Sequence, residues 1–343
     1  MSEMARIQAP PNLPALVKAA FQKARSNGDL TYYPTQATIL TVGSVPFQLR
    51  YSPALAAKPK APVQPRDQPA AAKPFNPFAD PDPALLVAAL PPSHRLVLNK
   101  FAVVPEHFIL ATRAFKPQTH VLEPADVAAA YACIDAYARA DGGQQDLFVF
   151  FNSGQHSGAS QPHRHLQLLP VARMRDGLER VERGGGWDVL ADKLGGGEGA
   201  SVPELEQQLP FAVLAAAVSP DASAEARHTA YVDLYKRAVR AVLSAPAGGA
   251  ADEEEADVPG DGEAKISYNF AMTRNSMALC PRTAEGAVIR NRAGVEVGQV
   301  ALNGTLLAGT ALVKTQAEWD ALVENPSLLH GVLGQIGIKP SKL

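Results

Sequence analysis

Apolar positions along this chain of 343 residues recur either at a helical period or in short runs. From Asn12 to Arg25, and again from Glu225 to Leu243, they return every three or four residues, the period of an amphipathic helix. Pro124 to Arg139 is alanine-rich with acidic residues near its start, and Asp141-Gly142-Gly143 follows; this predicts a third helix. Short runs of β-branched and aromatic residues predict strands. They are a hairpin over 35–51 broken by Gly43 and Pro46, a pair over 94–105 and 107–113 turning at Pro105-Glu106, then 147–151, 163–169, 266–274 and 277–282. Gly298 to Val313 mixes strand and loop, and Glu318 opens a last helical region ending near Ile336.

Between these lie stretches with no period. Pro53 to Pro83 is rich in proline, alanine and lysine and reads as an extended crossing segment. Gly184–Gly186 and Gly195–Gly199 read as flexible insertions, and the acidic run Ala245 to Glu263 as too polar to pack. The order strand, strand, helix, strand, strand predicts an α+β fold, an antiparallel sheet with helices packed on one face and the other face left for a substrate. A strand–strand–helix flavour returns in the C-terminal half, so a duplicated fold is expected. The expected division is an N-terminal catalytic region 1–180, flexible insertions plus one helix over 181–265, and a C-terminal region 266–343 that completes the second half.

Composition narrows the function. Apolar residues make up 46%, enough for a core, and no apolar run is long enough to span a bilayer. Lys and Arg number 32 against 34 Asp and Glu, a net charge of −2 that gives nucleic acid no electrostatic footprint. The two cysteines, Cys133 and Cys280, sit in apolar segments and read as buried free thiols. With no signal sequence at the N-terminus, a soluble intracellular protein is expected, without a membrane partner.

The chemistry concentrates between Asn152 and Pro170. There a glycine- and serine-rich loop joins the apolar strand 147–151 to a second strand, 163–169. Alternation puts His163, His165 and Gln167 on one face and Arg164, Leu166 and Leu168 on the other. A neutral imidazole attacks phosphorus well, provided its second nitrogen is anchored, for example on a backbone carbonyl. His165, the central member, is the expected nucleophile, with His163 beside it. Gln167 can donate to a phosphate oxygen as charge shifts, and Asn152, Ser160 and Gln161 add neutral donors. Two alternatives remain at this point. Histidines two apart on a strand can share a metal ion, and such a site can bind nucleotide without catalysing anything.

His163-Arg-His165-Leu-Gln167 resembles the histidine-triad superfamily in its transferase form. The wider context resembles the fungal diadenosine tetraphosphate phosphorylases, also called ATP adenylyltransferases. It comprises Asn152-Ser-Gly…Gly158-Ala-Ser-Gln161, Val45–Tyr51, Asn76-Pro-Phe78, Leu96–His107 and Tyr268–Arg274 with Pro281-Arg282. The resemblance implies a duplicated histidine-triad-like architecture and phosphorolysis of diadenosine tetraphosphate to ATP and ADP through an adenylylated His165, reversibly. It also implies substrate contacts at Lys58, Asn99, Lys100, Gly158 and Ala159, and in the second half at Met272, Thr273, Arg274 and Arg282. The expected partners are the nucleotides and inorganic phosphate. No tightly bound cofactor or protein metal site is expected; any magnesium would arrive with the nucleotide.

Gln167 separates subclasses. Histidine-triad hydrolases carry a third histidine at its position, and a carboxamide cannot pass a proton to a leaving group or activate water. Transfer to phosphate needs neither. Hexose-1-phosphate uridylyltransferases resemble the same motif but place proline where Arg164 stands and add cysteine–histidine metal sites. They are the alternative. The family resemblance implies cytoplasm or nucleus, whereas the terminal Ser341-Lys342-Leu343 reads as a peroxisomal address recognised by an import receptor.

Overall fold

In a computed structural model, described over residues 7–57, 76–140, 146–178, 186–196, 202–244 and 258–340, the chain folds as α+β. Lys58, most of the acidic run and the Ser341–Leu343 tripeptide lie outside the described residues.

The first third contains α1 (Leu13–Asn27), β1 (Thr31–Tyr32), β2 (Gln36–Val42) and β3 (Val45–Tyr51). Next come β4 (Leu86–Leu90), β5 (His94–Leu98), β6 (Phe101–Ala102) and β7 (Phe108–Thr112). The centre holds α2 (Pro124–Arg139), β8 (Leu147–Ser153), β9 (His165–Pro170), and the short helices α3 (Val171–Met174), α4 (Leu190–Leu194) and α5 (Val202–Gln208). The remainder is β10 (Leu214–Ala217), α6 (Ala224–Leu243), β11 (Ser267–Met272), β12 (Ser276–Arg282), β13 (Gly286–Arg290), β14 (Glu296–Ala301), β15 (Thr310–Val313), α7 (Gln316–Glu324) and α8 (Ser327–Leu333).

An eight-stranded antiparallel sheet in the order β10-β12-β11-β8-β9-β7-β5-β4 organises the molecule. The two halves of the chain meet inside it. β8 pairs with β11 in a register that sets Asn152 opposite Asn269, so strands of both halves form one sheet. β10 and α6, expected within a region of insertions, are integral to this core.

Alternation decides what each face meets. Leu147, Val149 and Phe151 of β8, with Leu166 and Leu168 of β9, join α1, α2 and α6 in one core. Phe148, Phe150 and Leu169 point the other way, with Ala271, Ala278 and Cys280. They pack on β3, β15, α4 and the 3-10 turn Gly304–Ala308. The second face is therefore largely covered, contrary to the expectation that it stands free. The reason lies in β8 itself, which is apolar at consecutive positions and so demands burial on both sides. Only the part of this face carrying His163 and His165 escapes that core. Phe78 lies there against Ile109 and Ala111.

Arg164 anchors the strand from behind. It points to the helix face and lies 2% exposed; its Nη1 donates to Asp126 Oδ2 at 2.8 Å and to Glu123 Oε1 at 2.9 Å, both at the start of α2. His94 Nε2 meets the other Asp126 oxygen at 2.9 Å. Burial alone would raise the Asp126 pKa, but His94 and Arg164 outweigh it and hold the carboxyl below its ordinary range.

Candidate active site

β9 begins at His165, two residues later than the sequence pattern predicts, and His163 forms only an isolated bridge to Pro117. The cause is a side chain. The β8–β9 ladder runs from Leu147↔Pro170 to Phe150↔Gln167, a register that continues to Asn152 opposite His165. At that place Gln118 stands between the strands. Its Oε1 accepts from His165 N at 2.8 Å, and its Nε2 donates to Asn152 O at 2.8 Å and to His165 O at 3.1 Å.

The two histidines differ in what they have left to offer. His165 Nδ1 lies 2.7 Å from the His163 carbonyl oxygen, which can only accept, so Nδ1 carries the proton. Nε2 keeps its lone pair and has no partner among the described residues. The ring is 3% exposed and lies 4.8 Å from that of Phe78, centroid to centroid. Burial drives its pKa down to about 4, so it is a neutral base near pH 7. His163 is engaged on both sides: Nε2 donates to Thr112 O at 2.8 Å, and Nδ1 faces the Asn76 carboxamide, 2.8 Å from Nδ2. Burial lowers its pKa too. With neither nitrogen free, His163 offers no ligand for a metal shared with His165; it holds the His165 ring through its carbonyl.

The neighbouring amides are oriented in the same way. Gln167 Oε1 lies 2.6 Å from His107 Nε2, and His107 Nδ1 lies 3.1 Å from Asn99 Nδ2. Asn99 donates, His107 passes the polarity on, and the amide N–H groups of Gln167 are left as donors. Asn99 thus reaches the site through His107, while Lys100 beside it is exposed. Asn152 Oδ1 accepts from Asn269 Nδ2 at 2.8 Å and from Gly304 N at 2.9 Å, which turns the Asn152 amide nitrogen outward as a third group without a partner among the described residues. Arg282, 3% exposed, donates to Asn269 Oδ1 and to the carbonyls of Ala284, Glu285, Leu302 and Ile336. Every arm of its guanidinium is occupied, so it holds Asn269 in place.

The loop after β8 supplies backbone. Gly158 takes φ +78°, and the N–H groups of Gly158, Ser160 and Gln161 have no partner among the described residues, an arrangement suited to an anion. The N–H of Ala159 is occupied by Ser157 Oγ at 3.3 Å. Gly304 is required for close approach: a Cβ there would meet Phe150 Cδ2 at 2.5 Å and Asn152 Oδ1 at 2.9 Å.

Three expected contacts are placed elsewhere. Met272 pairs with Val149, three residues along β11 from Asn269, about 10 Å away at strand spacing, and its side chain lies in the helix-side core. Thr273 Oγ1 bonds Asp192 and Ser276, and exposed Arg274 uses its carbonyl to accept from Tyr131. Register alone separates them from the histidines. Conversely, Gln118, His107, Asn269 and Gly304 were not singled out as site residues. A strand pattern ranks side chains by face, and gives no sign of carboxamides that arrive from other elements.

Residues 3–180 match the family model described as Ap4A phosphorylase N-terminal domain, and residues 207–339 the one described as ATP adenylyltransferase C-terminal domain. Protein APA1 of Saccharomyces cerevisiae is 25% identical across 96% of this chain and 95% of its own length. Diadenosine 5',5'''-P1,P4-tetraphosphate phosphorylase 2 of the same yeast is 28% identical across 95% and 94%. The crystal structure of yeast Ap4A phosphorylase Apa2 superposes with a TM-score of 0.71 at 25% identity, covering 97% of this chain and 96% of that one.

Proposed function

The chain belongs to the Ap4A phosphorylase and ATP adenylyltransferase family, and on that premise we propose that His165 carries AMP between two phosphate acceptors. The enzyme is a nucleotidyltransferase that splits diadenosine tetraphosphate (Ap4A) with inorganic phosphate into ATP and ADP. His165 Nε2 attacks the α-phosphorus of one adenosine; the P–N bond forms as the α–β P–O bond breaks, and ATP leaves with the electron pair. A phosphate oxygen then attacks the same phosphorus, the P–N bond breaks, and ADP departs. As the ring donates its lone pair it gains positive charge, which the Nδ1–H bond to the His163 carbonyl stabilises.

One observation supports this most directly. Three polar groups without partners among the described residues, His165 Nε2 and the side-chain amide nitrogens of Asn152 and Gln167, share one face of the adjacent strands β8 and β9. A nucleophile flanked by two neutral donors suits a phosphorus whose charge spreads over its non-bridging oxygens. We assign neutralisation of the polyphosphate to a divalent cation carried by the nucleotide, because the groups hydrogen-bonded around the nucleophile among the described residues are uncharged amides and imidazoles. Gln167 favours transfer over hydrolysis, because a carboxamide neither gives up nor takes a proton as a general acid or base.

Product analysis tests this. Ap4A incubated with phosphate is expected to give ATP and ADP over many turnovers, and without phosphate to leave only a stoichiometric adenylyl-enzyme with one equivalent of ATP. AMP with ATP, or two ADP, formed in the absence of phosphate would overturn it. His165→Ala is expected to take no label from α-labelled Ap4A.

A further inference from the structure

Where β8 and β9 reach the reacting residues, the sheet does not close. Continued by two residues, the ladder would bond Asn152 directly to His165. Instead the Gln118 carboxamide occupies the gap, and its three hydrogen bonds replace the missing rungs. Two hydrogen bonds and an amide group in series hold the backbones further apart than the ~4.8 Å of paired strands. Gln118 is itself fixed: its N–H donates to Pro162 O at 2.9 Å, Arg164 N donates to Lys116 O at 2.7 Å, and the residue is 3% exposed.

We propose that Gln118 is the positioning residue of the transfer reaction, a wedge that sets the distance between the nucleophile on β9 and the Asn152 donor on β8. The inference rests on His165 as the nucleophile. Both the N–H and the C=O of His165 end on one carboxamide, which fixes its Cα–Cβ direction. The His163 carbonyl then fixes the ring. On the other side the same amide holds Asn152 O, so the phosphorus-seeking nitrogen and the phosphate-oxygen donor are referred to one rigid group.

The chemistry of the wedge is specific to a carboxamide. Both N–H groups face carbonyl oxygens and the oxygen faces an N–H, a pattern that a carboxylate inverts on one side and a thioether abolishes. In Gln118→Glu an ionised side chain would put its charge against the carbonyls of Asn152 and His165, whereas the protonated form regains one donor and keeps the acceptor. The defect in Gln118→Glu is therefore expected to ease as pH falls, while native His165 stays neutral until about 4.

The experiment is rapid-quench labelling with α-labelled Ap4A, alongside AMP binding and thermal melting, for Gln118→Met, Gln118→Glu and His165→Ala. Gln118→Met is expected to slow adenylylation by about 100-fold, the scale of an ångström of misplacement, with the AMP Kd within about three-fold of native. Gln118→Glu is expected to regain labelling rate relative to native between about pH 8 and about pH 5.5. A folded Gln118→Met that labels at the native rate would overturn the wedge, as would rate and affinity falling in parallel. If Gln118→Met does not fold, a Gln118→Glu rate that stays flat or falls on acidification, relative to native, overturns it. Labelling that survives in His165→Ala would instead overturn the nucleophile and leave the wedge without a reaction to serve.

Discussion

The Nδ1–H of His165 donates to the carbonyl oxygen of His163 at 2.7 Å, so the backbone of one histidine decides which nitrogen of the other keeps its lone pair. The side chain of His163 serves that carbonyl: its ring is clamped between Thr112 and Asn76, which holds the strand segment it belongs to. Of the two rings, that of His165 alone keeps a nitrogen without a partner among the described residues.

Acidification tests the burial of His165. An unfolded imidazole binds its proton near pH 6.5, and the folded one only near about 4. Between those values the unfolded state binds more protons, so this group's contribution is fully present above about 6.5 and is lost as pH falls to about 4. His165→Gln is therefore expected to lose less stability than native between pH 7 and pH 4 in urea titrations. An identical pH slope for the two proteins would contradict it.

Arg164 holds a buried pair together from the helix face. Arg164→Leu takes from buried Asp126 its guanidinium partner and leaves His94 alone against the carboxyl, and the expected loss is about 3–5 kcal/mol of unfolding free energy. Removal of exposed Arg139 from its pair with Asp135 is the control, expected to cost under about 1 kcal/mol. Denaturant midpoints compare the two directly.

Gly304 has no room for a methyl group. Gly304→Ala pushes a Cβ into Phe150 and the Asn152 carboxamide oxygen, displacing the amide proposed as a phosphate donor. The expected result is a fall in phosphorolysis of about 10²-fold, the scale of losing one oxyanion donor. Ala substitution at Gly331, where a Cβ meets nothing within 4 Å, is expected to leave the rate near native.

His107 reaches the chemistry through Gln167. His107→Phe keeps an aromatic ring but removes the 2.6 Å bond that turns the Gln167 amide nitrogen outward. The rate of adenylylation is expected to fall about ten-fold or more with AMP affinity little changed. A change confined to KM would place the residue in binding.

Much of the local architecture was legible in the residues. The helix over 225–243 matches α6 because its 3.6-residue apolar period is local, and the one over 124–139 matches α2 because alanine-rich sequence with acidic residues at its start favours a helix. The alternation through 163–168 correctly separated the histidine face from Arg164 and its apolar neighbours, because a strand leaves a side chain no other choice of face. What lies across from each face was not legible. The continuous apolar run of β8 fits a strand buried on both sides, yet the second face was expected to stand open; its cover comes from β3, β15 and the 304–308 turn, far away in the chain.

The sequence by itself determined the family, the three polar side chains on one face, and the glutamine in place of a third histidine, since each is carried by a short run of neighbouring residues. Tertiary structure alone decided which nitrogen is free, that Arg282 and Asn269 support Asn152, and that Met272 faces the helix core. Those outcomes depend on strand register and on hydrogen bonds between residues up to 152 positions apart, as in Gly304 to Asn152. A local pattern specifies direction, whereas partnership across a sheet is settled only when the whole chain has closed around it.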